Sequence, residues 1–360
     1  MIAARPKKLR VGVLFGGRSA EHEVSVVSAQ GVLAAIDRDR FKPVPMGITR
    51  QGTWLTPAQT EQALDQIRSE RLRGMDEPLG EGLLYRTQAL GSLRRLDIVF
   101  PLIHGVNGED GTLQGLLELA SVPYVGAGVA ASALGMDKAL QKTFFRHHDF
   151  PVADDVQLLL SQWRRDSDSI LRAAEATIGY PCFVKPANSG SSIGTSKARS
   201  REDLEESIVD AFRYDRKVLV ETFIAGREVE VAVLGNDEPE ASSVGEITYR
   251  NEFYDYQAKY DDPGTNLQIP ADIPADVADR IRTMAVDAYK SIDCAGFARV
   301  DFFLTADERI YLNEMNTIPG FTPMCMYPKL WEHDGLSYRD LISRLIELGL
   351  ERHEEMRRAV

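Results

Sequence analysis

The sequence predicts an α/β protein that opens with a parallel sheet covered by helices. Three observations point there. A compact apolar run over residues 9–15 breaks at Gly16 and Gly17, and helical apolar spacing follows over 21–36. A second apolar run, 96–103, leads into His104 and Gly105. Strands that alternate with helices in this way imply a parallel sheet packed between helices. At 360 residues the chain has room for two or three domains and a full core without disulfides.

The remaining elements follow in order. The polar stretch 56–92 reads as an excursion at the domain edge. After the segment 132–138, a helix-like stretch runs through Phe145. A strand over 181–185 runs through Lys185 and Pro186 into a Gly/Ser-rich loop, 188–196. Another strand, 217–221, is followed by a turn at Gly226 and a longer strand over 228–234. The polar, aromatic segment 249–270 is long for a connector in a compact domain, and a functional lid is expected. A helix over 276–292 precedes two apolar strands, 297–304 and 310–316, and a polar helix over 338–356 closes the chain. There is no long-period repeat and no low-complexity tract.

Composition excludes several classes. Asp and Glu number 54 against 42 Lys and Arg, a net charge of −12, so a general nucleic-acid surface is not expected. No apolar run approaches a membrane span. The basic segment 1–10 is followed by too short an apolar stretch for a secretory signal. Cys182, Cys294 and Cys325 are scattered and odd in number, which suits a reducing compartment rather than a disulfide framework or a Cys-rich zinc site. A cytoplasmic enzyme or binding protein is the expectation.

Two segments carry chemistry by their pattern. A four-residue loop over 305–308 would pair Leu304 with Arg309, Asp301 with Leu312 and Arg299 with Glu314. Alternation would then bring Arg299, Asp301, Glu314 and Asn316 to one face. Two carboxylates and an amide oxygen suit a hard cation such as Mg²⁺. An Arg–Glu pair on a solvated sheet face would share this spacing, but Phe297, Phe302 and Leu312 point to a buried sheet. In the second segment, Lys185 precedes Gly190, Ser191, Ser192 and Gly194. Such a loop can turn N–H groups and hydroxyls toward phosphate oxygens, or be a plain surface hairpin; it is not a Walker A loop. Gly126-x-Gly128-x-x-Ala131 matches the dinucleotide fingerprint weakly, and a tight turn among small residues fits as well. Glu21 and Glu23 stand at a helix start, where carboxylates commonly serve the helix dipole.

Taken together these segments resemble the D-alanine–D-alanine ligase family of the ATP-grasp superfamily. The resemblance runs over nearly the whole chain: the glycine turn and helix start at 14–25, the His104 loop through Gly111, Met136-Asp137-Lys138, the 185–194 loop, Glu221 with Glu228, the 254–260 stretch, Arg299-x-Asp301, and 313–320. It implies a Rossmann-like N-terminal domain over 1–134 and a two-part ATP-grasp fold over 135–224 and 225–360. It implies ATP-driven joining of two D-alanines through an acyl phosphate, for the peptidoglycan precursor. ATP and two Mg²⁺ ions are implied, with Mn²⁺ as a substitute, and a homodimer with no nucleic-acid or membrane partner.

The resemblance also assigns roles. Lys138, Lys185 and Lys259 meet the phosphates, and Gly190, Ser191 and Ser192 cover the γ-phosphate. Glu221 takes the adenine amino group and Glu228 the ribose. Phe183 and Phe303 sandwich the base, with Phe223, Ile224 and Asn313 also at the nucleotide. Asp301, Glu314 and Asn316 hold the metal ions. Glu23 pairs with the first D-alanine's ammonium, and Arg299 and the Gly320 N–H stabilise the oxyanion. Glu23, Ser191 and Tyr260 form a hydrogen-bonded set that closes the lid. Tyr260 implies a dipeptide product, since related ligases making the D-lactate ester carry Phe there. His104, Cys325 and Met326 complete the substrate site. Two departures stand out: Cys325 replaces a usual serine that helps hold the second D-alanine carboxylate, and Val106-Asn107 replaces a frequent Pro-Phe. Related ligases with D-lactate or D-serine as acceptor remain an alternative, as does, at a distance, a dinucleotide-dependent oxidoreductase.

Overall fold

The computed structural model describes residues 7–70, 91–248 and 266–358, which form three sheets. The first is parallel. Strand β1 (Leu9–Gly16) lies between β2 (Phe41–Ile48) and β3 (Ile98–Pro101). Its central position explains the unbroken apolar run: Val11, Val13, Leu14 and Phe15 are all fully buried. The helix His22–Ala35 packs on this sheet, and the C-terminal helix Tyr338–Arg358 adds Leu341, Ile342, Leu345 and Ile346 to the same core.

The second sheet is antiparallel, in the order β4 (Asp155–Leu159), β7 (Lys217–Thr222), β5 (Cys182–Pro186), β6 (Ser196–Ala198). The third has the order β10 (Asn266–Gln268), β9 (Glu240–Thr248), β8 (Gly226–Gly235), β11 (Gly296–Thr305), β12 (Ile310–Asn316), also antiparallel. The helix Ala275–Ser291 covers it, burying Val277, Ile281, Ala285 and Ala288 against Val229, Val231 and Val300.

The β11–β12 register differs from the expected one. Leu304 faces Ile310, not Arg309, because Thr305 closes a longer connection: its N–H donates to Arg309 O at 3.0 Å and its Oγ1 accepts from Arg309 N–H at 3.0 Å. Left regular, that register would set Glu314 opposite buried Val300. A bulge at Asn313 prevents this, since Phe302 faces Leu312 while Asp301 faces Glu314. The extra residue switches the phase of the strand. Arg299, facing Asn316, and Asp301, facing Glu314, therefore do share one face, by a route the spacing did not reveal.

The Gly126-x-Gly128 turn is a packing contact. Gly126 has φ +98°, and a Cβ on Gly296 would lie 2.8 Å from the Gly126 Cα. Backbone meets backbone there, so the turn brings the N-terminal part against the start of β11. Among the described residues no helix is long and apolar enough to cross a membrane.

Candidate active site

A cleft runs between the second and third sheets. Lys185 and Glu221 line it from β5 and β7, and Glu228, Arg299, Asp301, Glu314 and Asn316 from β8, β11 and β12. Phe183, Phe223, Ile224, Phe303 and Asn313 also line it, as do Lys138, Gly190, Ser191 and Ser192. The chain folds so that these groups meet for local reasons. Asp137 caps the helix Lys138–His147, its side chain accepting from Ala139 and Leu140 N–H, which fixes Lys138 at the helix start. Lys138 N–H donates to Ala187 O at 2.9 Å, tying that start to the end of β5. On β8, Glu228 faces Phe303 and Glu230 faces Asp301, so alternation carries both carboxylates to the cleft face.

Charge is paired densely. Lys185 Nζ lies 2.7 Å from Glu221 Oε2, and Lys142 Nζ lies 3.4 Å from Oε1. Burial would raise the Glu221 carboxyl, but these two lysines outweigh it and hold it below its ordinary value. Lys138 Nζ lies 3.1 Å from Glu314 and donates to Ser189 O at 2.9 Å. Burial would lower the Lys138 ammonium; Glu314 outweighs that and holds it above its ordinary value. Arg299 grips Asp301 with both arms of its guanidinium at 2.7 Å each, and its Nε stands 3.1 Å from Glu230. Asn316 donates to Asp301 Oδ2 at 2.9 Å.

The 188–196 loop turns tightly. Ser191 and Ser192 have φ of 48° and 57°, a left-handed conformation that costs a non-glycine residue energy. Ser191 Oγ donates to a carboxylate of the N-terminal part, and that carboxylate is Glu21, not the expected Glu23. Glu21 is buried between two glycines: a Cβ on Gly190 would come 2.4 Å, and on Gly105 2.8 Å, from its Oε2. Glu23 lies two residues further along the helix, about 200° around its axis. It turns to Arg50 at 2.8 Å.

The other expected substrate residues are placed as follows. His104 is buried, its Nδ1 against Ile318 O at 3.0 Å and its Nε2 against Ser28 Oγ at 3.3 Å, so it ties the N-terminal part to the loop that ends at Gly320. Burial holds its pKa below the ordinary value, with Glu21 pulling the other way. Cys325 immediately precedes the helix Met326–His333, its Sγ 3.1 Å from Thr322 Oγ1, and a Cβ on Gly320 would lie 2.9 Å from that sulfur. The Met326 side chain is a core residue packed on Gly245, so only its backbone N–H at the helix start remains for a ligand. Lys259 and Tyr260, with most of the 249–270 segment, lie outside the described residues.

Three groups escaped the sequence reading. Glu230 repeats Glu228 at strand period, and Lys142 repeats Lys138 at helix period, so both signals existed. Glu109, inside the loop after His104, also lines the cleft. Its Oε1 accepts from Gly105 N–H at 2.7 Å, and burial together with Glu21 pushes its carboxyl up to about 8.

A pair of lysines, a strained Gly/Ser loop and an oxygen-rich face on an antiparallel sheet together can hold a polyphosphate and a reacting carboxylate. Among the described residues no group of three His, Cys, Asp or Glu is placed to hold a metal by itself. The donor set of Asp301, Glu314 and Asn316 fits Mg²⁺ all the same, because that ion takes few protein oxygens and completes its shell from phosphate and water.

Comparison with known proteins agrees. Residues 10–127 match the family model for the D-ala D-ala ligase N-terminus, and 144–347 that for the C-terminus. The chain is 46% identical over 353 residues to the D-alanine–D-alanine ligase of Geobacillus thermodenitrificans, covering 97% of each chain. It is 46% identical over 370 residues to that of Acetivibrio thermocellus, again covering 97% of each. Among solved structures, the D-alanine-D-alanine ligase from Coxiella burnetii superposes with a TM-score of 0.80 at 36% identity, covering 99% of this chain and 97% of that one. The VanG D-Ala:D-Ser ligase from Enterococcus faecalis gives 0.79 at 36%, covering 95% and 100%. With matching models over both parts and relatives covered over 97% of their length, the chain belongs to the D-alanine–D-alanine ligase family.

Proposed function

We propose that this protein uses ATP to join two D-alanines into D-alanyl-D-alanine for cell-wall precursor synthesis. The observation that carries the reading is the cleft itself: Lys138, Lys185 and the Ser191 loop stand across from Arg299 and the Asp301–Glu314–Asn316 face. A carboxylate is a poor electrophile, and phosphorylation gives it a leaving group. Lys138 and Lys185 hold phosphate oxygens of ATP, and the 188–196 loop closes over the transferred group. Mg²⁺, held by Asp301, Glu314 and Asn316, supplies charge neutralisation at the phosphates when bound. Arg299 and the Gly320 N–H face the developing oxyanion. Glu21, in place of Glu23, takes the first D-alanine's ammonium, and Ser191 holds Glu21 in position. Phe183 and Phe303 flank the adenine, Glu221 accepts from its amino group and Glu228 meets the ribose. Three units, 1–134, 135–224 and 225–360, a cytoplasmic location and a homodimer belong to the same reading.

The test is a product assay with ATP and Mg²⁺, offering each D- and L-amino acid and D-lactate. D-Alanine is expected to give the dipeptide with one phosphate released per bond formed. Phosphate release without dipeptide, or no turnover with D-alanine, would sink the reading. A D-serine acceptor is the second reading, favoured by the likeness to the D-Ala:D-Ser ligase and by the weak donor Cys325 beside Gly320. Equal D-alanine and D-serine in one reaction separate the two by product mass.

A further inference from the structure

Lys142 lies one helical turn after Lys138 and outside the cleft lining, its side chain only 2% exposed. A buried ammonium is costly unless an anion holds it. Its Nζ makes no hydrogen bond among the described residues; its partner is the Glu221 carboxylate at 3.4 Å. Lys185, which does line the cleft, holds the other Glu221 oxygen. Glu221, itself 2% exposed, thus has two cations in direct contact where charge balance asks for one, and a weaker attraction from Lys138, which Glu314 already holds. Burial, with Lys185 nearby, lowers the Lys142 ammonium; Glu221 is the main attraction that opposes this, and Asp155, paired with Arg146, adds a weaker one from β4.

The excess has a use once a nucleotide enters. Lys185 then divides its charge between Glu221 and a phosphate. With Lys185 as sole partner, Glu221 would either keep that lysine from the phosphate or become an uncompensated buried anion. A cation behind the cleft removes the conflict.

We propose that Lys142 is a positioning residue for nucleotide recognition: it is the standing counter-charge of Glu221, which frees Lys185 for the phosphate and fixes Glu221 to accept the adenine amino N–H. This rests on the reading of the cleft as an ATP site with Glu221 at the base. Lys142 touches neither nucleotide nor reacting atoms.

A double-mutant cycle tests it. Lys142→Met, Glu221→Gln and the double variant are compared for ATP and for inosine triphosphate, which carries a carbonyl where adenine has its amino group. Lys142→Met is expected to raise the KM for ATP about tenfold or more, the scale of one charged hydrogen bond, and to lower the preference for ATP over inosine triphosphate. The kcat at saturation and the KM for D-alanine should stay within about threefold, because only nucleotide binding is touched. In the Glu221→Gln background the same change should alter the KM for ATP less than about twofold, since a neutral amide needs no counter-charge. An equal factor in both backgrounds, or a fall in kcat with KM unchanged, overturns the proposal. Should Lys142→Met not fold, the double variant must still fold and bind as Glu221→Gln does; a double variant that stays unfolded also overturns it. If Glu221→Gln alone leaves both nucleotides unaffected, the placement of adenine on Glu221 fails and this proposal with it.

Discussion

Arg299→Met is expected to lower kcat by about 10²–10³-fold and to destabilise the fold by about 3–5 kcal/mol. Two separate losses add up here. The guanidinium is the one side-chain donor assigned to the oxyanion, and removing such a donor from a preorganised site costs that much in rate. It also stands between two buried carboxylates, Asp301 at 8% exposure and Glu230 at 4%. Taking it away leaves both short of a cation in a poorly solvated sheet face, which is the expensive way to break a buried pair. Arg299→Lys is expected to recover part of the stability and little of the rate. An ammonium can neutralise but cannot reproduce the two-armed grip on Asp301 at 2.7 Å per contact. Adding Glu230→Gln to Arg299→Met separates the effects: the denaturant midpoint should rise again while kcat stays low. A variant that keeps kcat within tenfold of the parent would remove Arg299 from the chemistry.

What the sequence revealed and what it hid have physical reasons. Central position alone does not make a strand legible: β9 lies inside its sheet, and Ser242, Ser243 and Glu246 hid it. β1, β5 and β7 were legible as short, mostly apolar runs, and β8 because Val229, Val231 and Val233 alternate with Glu228 and Glu230. β2 was not. It is an edge strand, and Pro43 and Pro45 break any simple strand pattern. They are tolerated because they share the parity of Gly47, whose N–H and C=O turn away from β1 to Thr60 and Leu55; their missing N–H groups would have faced outward. The bulge at Asn313 left no trace either, since one extra residue looks like any other until the partner strand is known. The grouping of Arg299, Asp301, Glu314 and Asn316 nonetheless came out right. The assumed turn was one residue too short and the assumed strand one residue too regular, and the two errors preserved the face.

The choice between Glu21 and Glu23 shows the same limit at a single residue. Both are carboxylates at a helix start, and which one meets the Ser191 loop depends on where the first turn begins. The structure begins the helix at His22. That leaves Glu21 on the last non-helical position, pointing back to Ser191, and sends Glu23 around to Arg50.

A contrast of three variants follows from that geometry. Glu21→Gln is expected to raise the KM for D-alanine by about 10–100-fold, because the ammonium then loses a charged partner in a buried site. The KM for ATP should stay within about twofold, since Glu21 is absent from the nucleotide cleft lining. Glu23→Gln should leave both constants within about twofold, as its pair with Arg50 is a third exposed on each side and such pairs contribute little. Gly190→Ala is the sharper probe because it keeps every charge. Its new Cβ would come within 2.4 Å of Glu21 Oε2, so the carboxylate must move although it is still present. A D-alanine KM that rises in Gly190→Ala as in Glu21→Gln, with no change in Glu23→Gln, places the ammonium on Glu21. The reverse order, with Glu23→Gln the damaging change, would return the ammonium to Glu23 and make the contact between Ser191 and Glu21 a purely structural one.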